Sequence, residues 1–327
     1  MKQKIIPFFL GESGCPGHCI YCNQALITGQ DLSPSDVSSS LSGYLDRIRT
    51  PDRPFEFAFF GGSFSALPES LARELLSMVR DRFRNTNFRG IRFSTRPDCL
   101  SDAFLELSVE FKVITIELGV QSFDDRVLYS LQRNYTSSDA VSCLERITSR
   151  RIETGVQLLI GSPGETLSTH RINLRTLSGI RPGCLRIYPL LVLAGTPLEK
   201  SFLCGDFQPL TLDQAIRLAV LYMNRLEQSG IRIIKIGLQT TPTLKASVVS
   251  GPWHESFGDL CRSCRFSRQA IRLLRKKVGG TLIVNNADVP LLLGHEKHGY
   301  RLIVQKLGYP VKYKINNNQA AGKPGLE

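Results

Sequence analysis

The chain has 327 residues, 42% of them apolar, enough to bury a sizeable core in one large domain or in a domain with an appendage. Its 41 Lys and Arg against 29 Asp and Glu leave a formal charge of +12, which favours a polyanionic partner such as nucleic acid, or an anionic small substrate. Nine cysteines, an odd number in unequal spacings, exclude the dense disulfide framework of a small secreted domain and suit metal or redox chemistry in a reducing compartment. The apolar opening run is broken by Pro7 and stops far short of a membrane span, so the expectation is a cytoplasmic protein with no membrane segment.

In chain order, a strand is expected at 4–10. A Ser-rich start at 33–35 then opens a helix to about residue 49, followed by a strand at 55–60 and a helix from 69 to about 84. Further strands are read at 90–94, 113–118, 155–159, 185–191 and 231–236, with helical patterns at 125–131, 137–150, 166–177 and 212–229. Alternation of this length argues for parallel βαβ units, in a partial or complete (β/α) barrel or a doubly wound sheet. Past about residue 239 the pattern weakens. Residues 1–239 are therefore expected to form the core and 240–327 a C-terminal extension, with a basic helix at 264–277 and a strand at 281–284. The Asn- and Gly-rich tail 314–327 is expected to be flexible.

The densest chemistry follows the first strand. Gly14-Cys15-Pro16-Gly17-His18-Cys19-Ile20-Tyr21-Cys22 places three thiols within eight residues, in a loop that its Gly and Pro residues keep out of regular structure. Thiolates suit zinc and iron–sulfur clusters, and a closed zinc site wants a fourth Cys or His. His18 is the local candidate, wedged between two ligands where simultaneous coordination is awkward. Three cysteines instead leave one iron of a cubane cluster open to a substrate or cofactor. A structural zinc knuckle is the other reading of the same residues.

This spacing, with an aromatic residue before the last Cys, resembles the radical S-adenosylmethionine superfamily. The resemblance covers roughly residues 5–240 and implies an α/β fold, a partial (β/α) barrel of the radical S-adenosylmethionine type with a small C-terminal extension. It implies a 4Fe–4S cluster on Cys15, Cys19 and Cys22 that cleaves S-adenosyl-L-methionine reductively to a 5′-deoxyadenosyl radical, and an electron donor such as flavodoxin or ferredoxin. Tyr21 falls among the implied cofactor contacts. Gly61-Gly62-Ser63, at a strand end, resembles the superfamily's second motif, which contacts the methionine amino group. Gly119-Val120-Gln121 followed by Arg133 is similar to oxygen-independent coproporphyrinogen III oxidases and to the elongator catalytic subunit family, which modifies tRNA wobble uridines. That match implies that Gln121 contacts the ribose or methionine part and that Arg133 pairs with the cofactor carboxylate. Gln157 stands where the porphyrinogen oxidases carry an Asp that binds the ribose, which implies an altered contact.

Thr95-Arg96-Pro97-Asp98 and the Tyr188-Pro189 segment running to Gly195-Thr196 tilt the resemblance toward the elongator type, in which Glu usually stands where this chain has Ser94. The cluster loop begins close to residue 1 and 240–327 is short for an acetyltransferase domain, so wobble-uridine carboxymethylation by the same route is not expected. The first expectation is a radical enzyme of elongator-like type whose partner is tRNA or other RNA. The alternatives are a porphyrinogen-oxidase-like enzyme acting on a small anionic substrate, and a non-catalytic iron–sulfur protein. Cys261 and Cys264, near His254, form a two-thiol second candidate too small to define a site. Trp253 and His254 read as a packed aromatic pair. Cys99, Cys143, Cys184 and Cys204 read as ordinary small side chains. His295-Glu296-Lys297-His298 lacks the spacing of a helical zinc motif. The stretch 265–277 is the densest basic patch and the first place to look for RNA phosphate contacts.

Overall fold

A computed structural model of the chain describes every residue except 1–3, Pro16, His18, Gln30, Asp31 and Val278. It runs β1 (Lys4–Phe9), α1 (Gln24–Thr28), α2 (Val37–Arg47), β2 (Phe55–Phe60), α3 (Glu69–Phe83), β3 (Phe88–Thr95), α4 (Asp102–Glu110), β4 (Val113–Gln121), α5 (Asp125–Ser130) and α6 (Ser137–Ser149). The chain continues through β5 (Glu153–Ile160), α7 (Leu167–Ile180), β6 (Cys184–Pro189), β7 (Val192–Leu193), α8 (Pro197–Leu203), α9 (Leu212–Gln228), β8 (Arg232–Ile236), α10 (Pro242–Ser247) and β9 (Val248–Ser250). The remainder is α11 (Phe257–Leu274), β10 (Leu282–Val284), α12 (Val289–Leu293), α13 (His298–Leu307), β11 (Tyr313–Ile315) and β12 (Gly325–Leu326).

Two compact units result. The first takes Met1–Leu210 and Arg225–Trp253, the second Thr211–Asn224 and His254–Glu327. The first unit thus runs past the boundary expected at 239, because β9 pairs antiparallel with β7 and Thr241 donates its hydroxyl to the Ile27 carbonyl.

In the first unit seven strands pair in the order β1-β2-β3-β4-β5-β6-β8, every pair parallel. The sheet curls into a half-barrel. Among the described residues β1 and β8 do not pair with each other, so the barrel is partial. Strands covered on both faces read as apolar runs, and β2 is the extreme case: Phe55, Phe57 and Phe59 are fully buried. Phe83, the last residue of α3, meets Phe55 edge-on at 5.1 Å, and α3 buries Ala72, Leu75, Leu76 and Val79 at the three- and four-residue spacing of one helical face. Capping boxes at Thr136/Asp139 and Thr166/Thr169 start α6 and α7 by satisfying their first N–H groups.

Within the sheet a buried ionic chain runs from strand to strand. Arg92 bonds Glu56 at 2.8 Å and Glu117 at 2.8 Å, and Glu117 also accepts from Arg186, the Arg92–Glu56 and Arg92–Glu117 side chains being at most 2% exposed. Each charge is matched by a neighbour, which is the condition under which ions tolerate such burial.

The second unit packs α11 on α12 and α13 around Phe266, Ala270, Ile271, Leu274, Leu282, Leu292 and Ile303. Close approach is carried by small residues: Ser263 Oγ donates to the Leu291 carbonyl and Ser267 Oγ to that of Gly299. The tail for which composition suggests flexibility supplies β11, parallel to β10, and β12, antiparallel to it, while Lys314 and Glu327 pair at 2.6 Å.

Candidate functional site

A cavity of about 530 Å3 opens at the C-terminal ends of the parallel strands of the first unit. Its lining includes Cys15, Cys19, Cys22, Tyr21, Gly61, Gly62, Ser63, Gln121, Arg133 and Gln157, so all ten residues singled out in the sequence face one space. Parallel strands end in loops on the same side, which is why motifs far apart in sequence converge there.

The thiol loop is locked onto the end of β2. Gly62 has φ +49°, and a Cβ there would lie 2.1 Å from the Ser13 carbonyl oxygen; a Cβ on Gly14 would lie 2.3 Å from that of Ser63. The glycines therefore serve loop-against-loop packing beside the thiols, a more specific demand than general closeness to a ligand. Cys15 Sγ lies 3.8 Å from Ser63 Oγ, and Gln24 Nε2 donates to Cys22 Sγ at 3.2 Å.

Cys19 is buried and receives two cations: Arg133 Nη1 donates to its Sγ at 2.9 Å and Arg96 Nη1 approaches at 3.7 Å. Arg133 is fixed by Tyr135, whose hydroxyl accepts from Nε at 2.9 Å, and by the Gly119 carbonyl, which accepts from Nη2. Arg96 is held by a bidentate pair with Asp98 at 2.9 and 2.7 Å. Burial pushes the Cys22 thiol up to about 12 and raises the Cys15 thiol and the Tyr21 phenol. A bound cation must draw the thiol protons off, so metal loading here releases protons.

Gln121 ends β4 at φ +66° after a register shift in its pairing with β5. Such a conformation is strained for a side chain other than glycine and is characteristic of functional positions. Its amide and the Arg133 guanidinium occupy the room left by Gly119, where a Cβ would lie 3.0 Å from Gln121 Nε2. Gln157 Nε2 donates to Ser94 Oγ at 2.9 Å and to Glu117 Oε2 at 3.2 Å. Its nitrogen is thereby committed, and its carbonyl oxygen is what it can offer a ligand, an acceptor as a carboxylate would be.

Sequence reasoning passed over Arg96, Tyr135, Glu117 and Arg186 as site residues. Arg96 sits inside a quoted motif, and Tyr135 lies two residues beyond Arg133. The available signal for Glu117 and Arg186 was an ionisable residue inside an otherwise apolar strand. Burial pushes the thiols of Cys99, Cys143 and Cys184 up to about 11. The pair expected of Trp253 and His254 does not form: Trp253 stacks under Lys245 at 5.6 Å and His254 meets His295 edge-on at 5.1 Å. Cys261 is buried, its thiol pushed up to about 12, and neither it nor Cys264 lines the cavity.

Among the described residues no three His, Cys, Asp or Glu side chains are gathered tightly enough to hold a single metal ion, and His18 lies outside the described residues. Three soft thiols around a shared space, with two guanidinium groups to offset thiolate charge, fit a 4Fe–4S cluster.

The chain matches the family described as "Radical SAM superfamily" over residues 13–174 and the "Radical_SAM C-terminal domain" over residues 182–264. It belongs to the radical S-adenosylmethionine superfamily. Among its relatives, "Uncharacterized protein MJ0486" of Methanocaldococcus jannaschii is 27% identical over 69% of this chain and 73% of its own. The "tRNA uridine(34) acetyltransferase" of Methanocaldococcus infernus is 22% identical over 78% of this chain and 55% of its own. The solved Elp3 of the same archaeon, with an N-terminal deletion, superposes with a TM-score of 0.62 at 18% identity, covering 84% of this chain and 63% of that one, which shows the shared fold. No helix among the described residues is long and apolar enough to cross a membrane.

Proposed function

We propose that this chain holds a 4Fe–4S cluster on Cys15, Cys19 and Cys22, binds S-adenosyl-L-methionine beside it, and modifies RNA, with tRNA the first candidate. When bound, the cluster supplies the electron that cleaves the sulfonium cofactor reductively. Arg133 and Arg96 offset the charge of Cys19, and Arg133 is placed to meet a cofactor carboxylate as well. Gln121 and Gln157 orient the cofactor with an amide and a carbonyl oxygen. Ile27, Leu190, Leu191 and Leu193 line the cavity with apolar surface that keeps water from the reacting centre.

The observation that carries this reading is the convergence of the ten residues on one cavity. An RNA substrate is supported by the net charge of +12 and by the relative named for tRNA uridine 34. Flavodoxin or ferredoxin is the proposed electron donor, and the cytoplasm the proposed compartment. Anaerobic turnover against total cellular RNA, read by nucleoside mass spectrometry, should reveal a modified nucleoside that needs both the enzyme and S-adenosyl-L-methionine. RNA left unchanged would refute the substrate class.

A second reading, a small anionic substrate, is favoured by one observation: among the described residues, Arg96, Arg133, Arg186 and Lys235 line the cavity against a single carboxylate, Glu12. Binding of a tetrapyrrole carboxylate with no affinity for RNA would select it.

A further inference from the structure

The positive charge is unevenly placed. The second unit, about a quarter of the chain, holds 14 of the 41 Lys and Arg and 6 of the 29 Asp and Glu, a difference of 8 out of the net 12. The densest part of it is one face of α11. Arg262, Arg265, Arg268, Arg272 and Arg275 follow one another at intervals of three or four residues, so they lie on one side of the helix. Phe266, Ser267, Ala270, Ile271 and Leu274 fall on the opposite side and are buried.

Arg262 is matched by Asp259 at 2.6 Å. Arg268, Arg272 and Arg275 are exposed, and no ion pair to a described residue involves them. Cations in a last turn also answer the helix dipole, but that effect falls off within one turn, whereas this stripe starts five residues into the helix. Successive arginines rise about 5 Å along the axis, the scale on which phosphates follow one another along a strand. A membrane-surface helix would present an apolar face beside its charges; that face of α11 is packed into the unit's own core.

We propose that the arginine stripe of α11 is a docking surface for the phosphate backbone of RNA; none of its arginines lines the cavity. The proposal rests on the RNA reading given above and adds to it the surface that carries the substrate's charge. Three phosphate contacts contribute a slope of roughly 2 in log affinity against log salt, so their loss weakens binding about 100-fold at 0.1 M salt relative to 1 M.

The test uses the full chain and labelled bulk tRNA over a salt series. In R268Q/R272Q/R275Q the slope should fall by about 2 and affinity by about 100-fold, while R268K/R272K/R275K should keep most of both. 5′-Deoxyadenosine formation without RNA should be the same in all three proteins. Wild-type binding with an unaltered slope in the Gln variant would overturn the surface and leave the RNA reading standing. A wild type that ignores tRNA and binds phosphatidylserine-rich vesicles would overturn both.

Discussion

Replacing Gly62 by Ala tests whether the thiol loop is shaped by its packing against the end of β2. The new methyl carbon would sit 2.1 Å from the Ser13 carbonyl oxygen, two residues before Cys15, at a φ of +49°. Left-handed geometry alone costs a non-glycine residue about 1–2 kcal/mol. Relieving the overlap means moving loop backbone, at a further cost of about 1–3 kcal/mol by analogy with overpacking. Gly164 is the internal control: its φ is +76°, and a Cβ there meets nothing within 4 Å, so Gly164→Ala carries the conformational cost without the clash. Urea unfolding should place G62A below G164A by about 1–3 kcal/mol. Iron and sulfide per chain after anaerobic reconstitution should drop in G62A and stay at the wild-type level in G164A. Equal behaviour of the two variants in both assays would refute the argument.

Glu117→Gln removes the carboxylate shared by Arg92 and Arg186 and leaves buried charge unmatched, which should cost about 3–5 kcal/mol in urea unfolding; a loss under 1 kcal/mol would contradict the ionic chain. Gln121→Gly should relieve left-handed strain, raising stability by about 1 kcal/mol, while weakening S-adenosyl-L-methionine binding measured by calorimetry. Burial pushes the Glu165 carboxyl from 4.5 up to about 7, with one oxygen accepting the Gly161 N–H at 2.6 Å and the other without a partner. The native state then keeps a proton that the unfolded chain gives up above pH 4.5, so stability should fall between pH 4.5 and 7 by about 3 kcal/mol. In E165Q that slope should be absent, and the variant should exceed the parent above pH 7.

The parallel sheet was legible because its strands are long apolar runs, as in Phe55–Phe60, set apart by helical spacing of the kind that buries Leu75, Leu76 and Val79. The ten cavity residues were legible because they sit in strand-end motifs with fixed spacing. What escaped notice depends on the third dimension. Glu117 and Arg186 acquire meaning only when β4 and β6 bring them together across 69 residues. Arg96 and Tyr135 act through Cys19 and Arg133, which no local pattern connects to them. Short elements such as β7 and β9 hold too few residues to show a period, and their pairing is what draws the first unit out to Trp253. The tail's Asn and Gly content hides β12, whose order comes from its pairing with β10 and not from its own sequence.

The central claim is that three thiols on one loop serve reductive cleavage of S-adenosyl-L-methionine. Wild type and Cys19→Ala should be reconstituted anaerobically with iron and sulfide, reduced with dithionite, and assayed for 5′-deoxyadenosine by liquid chromatography. The account predicts cluster absorbance and 5′-deoxyadenosine from the wild type, and the loss of both in the variant. A fully reconstituted wild type that forms no 5′-deoxyadenosine, or a Cys19→Ala protein that still does, would contradict it.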